Sequence, residues 1–209
     1  MRTKSLLIAV LLAALSLPAY VPFASAQAPG GPPSNVRGKV VKLDGQNLTV
    51  KTREGQTVKI ALAPNTAVRA LAKKKLSDIK PGDFVGTTSV PGKDGKLHAV
   101  EVHFFPATLK LPESQSPWDS TPGATMTNAH VAGVAKAAQG GMLSINYKGS
   151  VAEVIVDKKT QIVAPAPTPA SAADLKPGRA VYVTAFKQPD GSLTAANVTV
   201  EKNGVKPPM

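Results

Sequence analysis

Three histidines and a set of closely spaced lysines and arginines are the side chains whose types could do chemistry in this 209-residue chain. His98, His103 and His130 are the candidate metal ligands. His98 and His103 stand five apart in an alternating stretch, so their imidazoles leave opposite faces of a strand and cannot meet at one ion within it. Glu101 shares a face with His103, which makes a surface site of those two conceivable as chemistry but incomplete as a ligand set. Met126, Met142 and Met209 are scattered, unlike a soft-metal cluster. Cysteine is absent, which excludes disulfides, thiolate sites and thiol nucleophiles. The chain has no H-E-x-x-H, no phosphate-cradling glycine loop and no paired carboxylates. These residues predict no catalytic set, no cofactor and no dedicated metal site.

The basic residues offer more. Arg37, Lys39, Lys51 and Lys59 share one alternation phase on three neighbouring segments, and Lys73, Lys74 and Lys75 follow as a run. Like charges gathered on one sheet face can dock an anion. The formal net charge of the whole chain is +12; removing residues 1–26, which carry Arg2, Lys4 and no acid, leaves 183 residues at +10. The same charge could equally serve solubility.

The elements that carry these residues come in two copies. "VRGKVVKL", "NLTVKT" and "TVKIAL" alternate apolar and polar residues between "DG" and "REGQ" turns, the pattern of a half-buried antiparallel meander. Val36, Val40, Leu48, Val50, Val58, Ile60 and Leu62 are the expected interior. From Val131 the pattern returns, with Gly133 expected at Gly38, Leu143 and Ile145 at Leu48 and Val50, and Thr160 at Thr66. "SDIKPGDFV" returns as "ADLKPGRAV". In that phrase Asp78 or Asp174 is expected to start a helical turn. Ile79 or Leu175 is an apolar plug, and Pro-Gly reverses the chain. His98 and His103 match Thr194 and Thr199, so the repeated fold does not need the histidines. On the same alignment Arg37, Lys39, Lys51 and Lys59 match Ala132, Val134, Asn146 and Glu153. With Val151 and Ile155, Ala132 and Val134 form an apolar outer face. That face is expected to meet the first domain, the linker or another subunit, and the linker's single Trp118 makes the linker contact the attractive one.

Five strands with a plug before the fourth suggest an OB-like barrel. The repeated order of "G-x-V", "L-T-V", "N-T", "D-[IL]-K-P-G-x-x-V" and "G-x-L-x-A" resembles a bacterial extracytoplasmic OB-like family, domain of unknown function 5666. The resemblance covers Val36–Phe105 and Val131–Glu201. It implies a fold and an extracytoplasmic compartment and carries no catalytic residues. The fold class is therefore all-β: two tandem five-stranded OB-like barrels, each with one short helical turn, joined by a Pro-rich linker. The expected organisation is a signal peptide at 1–26, a disordered leader at 27–34, a first domain at 35–106, a linker at 107–127, a second domain at 128–203 and a tail at 204–209.

Arg2 and Lys4, the apolar run Leu6–Leu17 and the small residues Ala24–Ala26 have the three parts of a secretory signal, with cleavage after Ala26 and a periplasmic or secreted product. No further apolar run is long enough to span a membrane. The basic stripe lacks the interleaved aromatic platforms of single-strand binders, so no specific nucleic acid is expected. The expected function is non-enzymatic binding to an anionic envelope surface or an acidic protein through the first domain's basic face. An accessory metal-binding protein and a structural spacer are the alternatives.

Overall fold

Period-two alternation builds strands throughout the computed structural model, which describes residues 33–109, 111–137 and 140–208. β1 (Pro33–Asp44), β2 (Asn47–Thr52), β3 (Thr57–Arg69) and the short β4 (Leu71–Lys73) precede a 3-10 turn at Leu76–Asp78. β5 (Phe84–Pro91) and β6 (Leu97–Phe104) complete the first repeat, and β7 (Ser114–Pro117) lies in the linker. β8 (Thr125–Ala137), β9 (Gly140–Tyr147), β10 (Ser150–Asp157) and β11 (Gln161–Pro165) lead to a second 3-10 turn at Ala172–Asp174, then β12 (Ala180–Lys187) and β13 (Leu193–Val200). The expected signal peptide and residues 27–32 of the leader lie outside the described residues. Pro33 and Ser34, expected in that leader, already pair with Phe186 and Ala185 as the start of β1.

Two closed five-stranded barrels result, and each is built from both repeats. Barrel one closes in the order β1–β12–β13–β3–β2. Barrel two runs β10–β9–β8–β5–β6 and closes through a short parallel β10–β6 contact. The first three strands of each repeat thus take the closing hairpin of the other. This corrects the expected domains at 35–106 and 128–203: the sequence repeats are real, but they are not the packing units.

The cores follow the exchange. Val36, Val40, Leu48, Val50, Ile60 and Leu62 meet Val181, Val183, Val198 and Val200, with the plug Leu175 from the second repeat. In barrel two, Val131, Leu143, Ile145, Val154 and Val156 meet Val85 and Val102, with the plug Ile79 from the first. Fully burying one such side chain stabilises by about 1.5–3 kcal/mol, so each barrel's stability depends on strands from both repeats, barrel one joining the two ends of the chain and barrel two occupying its middle.

The local chemistry explains why the hairpins cross over. Only Ala70 separates β3 from β4, with no turn sequence to fold the chain back. At the end of β11 and beyond it, Pro165, Pro167 and Pro169 favour extended backbone. The crossing segments β4 and β11 pair with each other, Leu71 opposite Pro165 and Lys73 opposite Val163. The offset of 94 that relates Thr66 to Thr160 also relates Leu71 to Pro165, so equivalent positions of the two repeats meet at the crossing. Both threonines pin the arriving strand. Thr66 Oγ1 donates to the Ala195 carbonyl at 2.9 Å, and Thr160 Oγ1 to the Ala99 carbonyl at 2.7 Å.

The Pro-Gly phrase serves the same exchange. Gly82 N–H donates to the Val131 carbonyl and Gly178 N–H to the Val40 carbonyl, each at 2.8 Å. Each phrase clips its own repeat onto the first strand of the other. Both glycines have positive φ, +92° and +83°, where a side chain would be strained. Asp78 and Asp174 end the 3-10 turns rather than starting them. Their carboxylates accept back from Lys75 N–H and Ser171 N–H at 2.9 Å.

Those clips also correct the first-strand alignment. Val131 stands where Val40 stands, an offset of 91 rather than 95. β-Bulges confirm it: the β1–β2 register shifts between Val40 and Lys42, the β8–β9 register between Val131 and Gly133. The β8–β9 hairpin is longer, which restores the offset of 95 by Leu143. Gly133 therefore does not correspond to Gly38. A Cβ on Gly38 would lie 2.1 Å from the Lys51 carbonyl oxygen, whereas one on Gly133 would meet nothing nearer than 3.8 Å.

The linker is ordered structure rather than a tether. β7 pairs with the start of β8, Ser114 opposite Asn128 and Pro117 opposite Thr125, and the hairpin tip reaches barrel one. The expected tail is also packed: Val205 is buried with Leu71 and Val163, and Gln161 Nε2 donates to the Lys206 carbonyl at 2.9 Å.

Candidate functional site: a lysine face beside a covered arginine

The β1 bulge sets the outer face of barrel one. Before it, Lys39 points outward while Val40 points in; after it, the phase flips, so Lys42 points outward and Leu43 packs on the core. Across the three strands, Lys39 stands opposite Lys51, and Lys42, Thr49 and Lys59 form the adjacent row. Four lysines thus surround Thr49, which is itself buried. Among the described residues, Lys39, Lys51 and Lys59 have no ion-pair partner, and Lys42 meets only exposed Asp44 at 3.6 Å. Directly opposed like charges destabilise a sheet by a few tenths of a kcal/mol. Lys42 was hidden from alternation because an unannounced bulge reverses its phase.

Arg37 belongs to the same phase but is not on that open surface. Its relative exposure is 3 %, because the linker tip covers it. The guanidinium lies between two rings, 5.4 Å from the Trp118 centroid and 4.9 Å from that of Tyr182. Arg37 Nη1 meets Asp119 at 2.9 Å. Asn35 Nδ2 donates to both Asp119 oxygens, and Tyr182 Oη donates to Asn35 Oδ1 at 2.8 Å. Arg53 donates to the carbonyls of Asp119 and Ser120 at 2.6 and 2.8 Å. Partial burial pushes the Asp119 carboxyl up, but the hydrogen bonds from Arg37 and Asn35 outweigh it and hold the group below its ordinary value. Burial pushes the Tyr182 phenol up. Trp118 therefore docks on barrel one, not on the expected apolar face of the second repeat. Val134 of that face in fact turns in against the core, and Val151 stays 62 % exposed.

The corrected register changes the counterparts of the first two basic residues. Arg37 and Lys39 correspond to Asn128 and His130; Lys51 and Lys59 keep Asn146 and Glu153. The exchange also separates charge. The five strands of barrel one carry seven Lys/Arg and one acid; those of barrel two carry one Lys and three acids. Lys73, Lys74 and Lys75 are exposed, yet they lie on and after the crossing strand β4 rather than on the lysine face.

The histidines do not converge. His98 Nε2 meets Asp94 at 3.1 Å in the β5–β6 turn, where Lys96 N–H and then His98 hold the Asp94 carboxyl down. His103 Nδ1 is 3.8 Å from Glu101. His130 Nδ1 meets the Gly82 carbonyl at 3.2 Å. Among the described residues, no three His, Asp or Glu side chains gather as a metal-holding group. Two histidines instead flank phenylalanines. His103 stacks on Phe105 at 5.1 Å, Phe105 tilts against Phe84 at 5.9 Å, and Phe84 meets the edge of His130 at 4.9 Å. This row was illegible in sequence because its members come from three strands of two repeats and the segment after β6.

Among the described residues, no helix is long and apolar enough to cross a membrane. No curated protein and no solved structure matches the chain. Residues 150–199, which run from β10 of barrel two to β13 of barrel one, match the family described as a domain of unknown function, DUF5666.

Proposed function

We propose that the protein is a non-enzymatic, exported docking protein that holds a phosphate-bearing envelope surface on the lysine face of barrel one. The observation that carries this reading is Lys39 opposite Lys51, with Lys42 and Lys59 in the next row and one exposed acid beside them. A sheet face that accumulates repulsion gains when an external anion relieves it. Among that face's residues, exposed Val41 is the large apolar one, at 45 %. A stable protein–protein interface buries about 800 Å² per partner around an apolar centre, which this face does not offer. A multivalent array of phosphates suits it better than an acidic protein.

The test is co-sedimentation of the mature chain with phosphatidylglycerol vesicles. Each lysine near an anionic surface contributes about 1 kcal/mol, so changing Lys39, Lys42, Lys51 and Lys59 to Gln should weaken binding about a hundredfold or more. Binding should also fall steeply with salt, since exposed charges are screened beyond ~10 Å at 0.1 M. The matched control changes Lys93, Lys96, Lys158 and Lys159, in the turns of barrel two. Equal loss in both variants would reduce the effect to net charge, and capture of an acidic protein without vesicle binding would replace the phosphate surface by a protein partner.

A further inference from the structure

The covered arginine has an unused edge. Arg37 Nη1 is paired with Asp119, but Nε and Nη2 are buried with no hydrogen-bond partner. Those two nitrogens form the fork that binds carboxylate or phosphate through two parallel hydrogen bonds. Trp118 Nε1 and Ser120 Oγ, both on the linker tip, are also buried without partners. A buried polar group left unpaired costs about 1–3 kcal/mol, more when charged. The tip therefore seals the arginine without satisfying it: Asp119 neutralises it at Nη1, and the Nε–Nη2 edge stays covered and unpaired.

We propose that Arg37 is the bidentate anchor of an oxyanion site at the margin of the lysine face, and that the linker tip, Trp118 to Ser120, is a displaceable internal occupant of that site. This deepens the phosphate-docking reading and rests on it for the physiological ligand. The ligand class is a phosphate, sulfate or carboxylate group carried on a polyanion. Its arrival exchanges the Asp119 contact for a two-bond contact on Arg37 Nε and Nη2 and frees Trp118 from the guanidinium. The tip lowers the apparent affinity by the fraction of time it is seated. Arg53, which holds the tip through the Asp119 and Ser120 carbonyls, is released in the same step and adds a further charge to the face.

Trp118 is the single tryptophan, so its fluorescence reports the tip without ambiguity. Short-chain polyphosphate is titrated into the mature chain while acrylamide quenching of Trp118 is followed. Quenching should rise severalfold at saturation and the emission should shift to the red. Asp119→Asn, which keeps Arg37 and removes the internal charge, should expose Trp118 before any ligand is added and bind polyphosphate about tenfold more tightly. Arg37→Lys keeps the charge without the fork and should lose that gain in the Asp119→Asn background. Polyphosphate binding with Trp118 still shielded and no gain in Asp119→Asn overturns the proposal while leaving the lysine face intact. If the wild type binds no polyphosphate, the lysine-face reading fails, and Asp119→Asn titrated with inorganic phosphate decides the site separately. A Trp118 response to phosphate upholds it, and none overturns it. Phosphatidylglycerol vesicles in place of polyphosphate distinguish a membrane headgroup from a soluble polyanion by which of the two moves Trp118 at lower phosphate concentration.

Discussion

Asp119 is the residue on which the covered site turns, and its protonation has a signed consequence. Its folded value lies below the ordinary 3.8, so the seated tip is favoured above that value and loses this contribution as pH falls through the lower, folded one. The charged and titratable groups around it are Arg37 on β1, Tyr182 on β12, and Arg53, itself paired with Glu54, in the β2–β3 turn. Burial pushes Tyr182 further into alkali, and Glu54, also held below its ordinary value, first by its hydrogen bond with Arg53, is the other acid nearby, so Asp119→Asn separates the Asp119 response from that of Glu54. The expected outcome is a red shift of Trp118 emission as pH falls below the ordinary carboxyl value of 3.8, at constant far-ultraviolet circular dichroism and absent in Asp119→Asn; loss of both signals together would make the event unfolding instead. The carboxylate is half exposed, so the effect on overall stability should be small. Little of this was readable in the sequence. The phase of Arg37 announced an outward residue correctly, but its cover arrives from a segment about eighty residues onward, and no local pattern specifies that meeting.

At the scale of single elements, the strands were legible because alternation is a local property, and all seven expected interior positions of the first meander face the core of barrel one. Register was less so. Gly38 and Gly133 look equivalent in a string of letters, yet only Gly38 lies against a neighbouring backbone. Gly38→Ala should lower stability by about 3 kcal/mol, since the obstruction is the Lys51 carbonyl rather than a movable side chain, whereas Gly133→Ala should be nearly neutral; thermal melts of the two variants check this. Equal effects would restore the alignment with an offset of 95. Thr66→Val and Thr160→Val each remove one hydrogen bond to an arriving hairpin, so each should cost about 1 kcal/mol. Because the two barrels share no strand, the first should loosen the β3–β13 contact and the second the β6 edge, separable by amide exchange at Ala195 and Ala99. Retention of full protection at both carbonyl-bearing strands would remove the pinning role.

For the whole molecule, the all-β class and the two barrels followed from strand count and plug, but their membership did not. "FVGTTSV" and "RAVYVTAF" carry interchangeable apolar patterns, and neither states which meander it closes. Exchange of equivalent elements is a low-cost alternative to self-closure whenever the connector stays extended, as the proline-bearing crossing does here. A cleavage site placed between Pro106 and Glu113 should therefore give two fragments that co-elute under native conditions and part only in denaturant. Native separation of two folded fragments would mean that each hairpin returns to its own repeat. The exchange also bears on synthesis, where the chain emerges amino end first. β1 pairs with β12, so Val36 waits for Val183, and barrel one stays an open sheet until the strands from Ala180 onward have left the ribosome. A growing chain in that state presents unpaired edges for most of its emergence. A variant truncated within β13 should consequently leave barrel one open and prone to proteolysis, while barrel two, whose five strands all lie between Phe84 and Asp157, survives as a protease-resistant core.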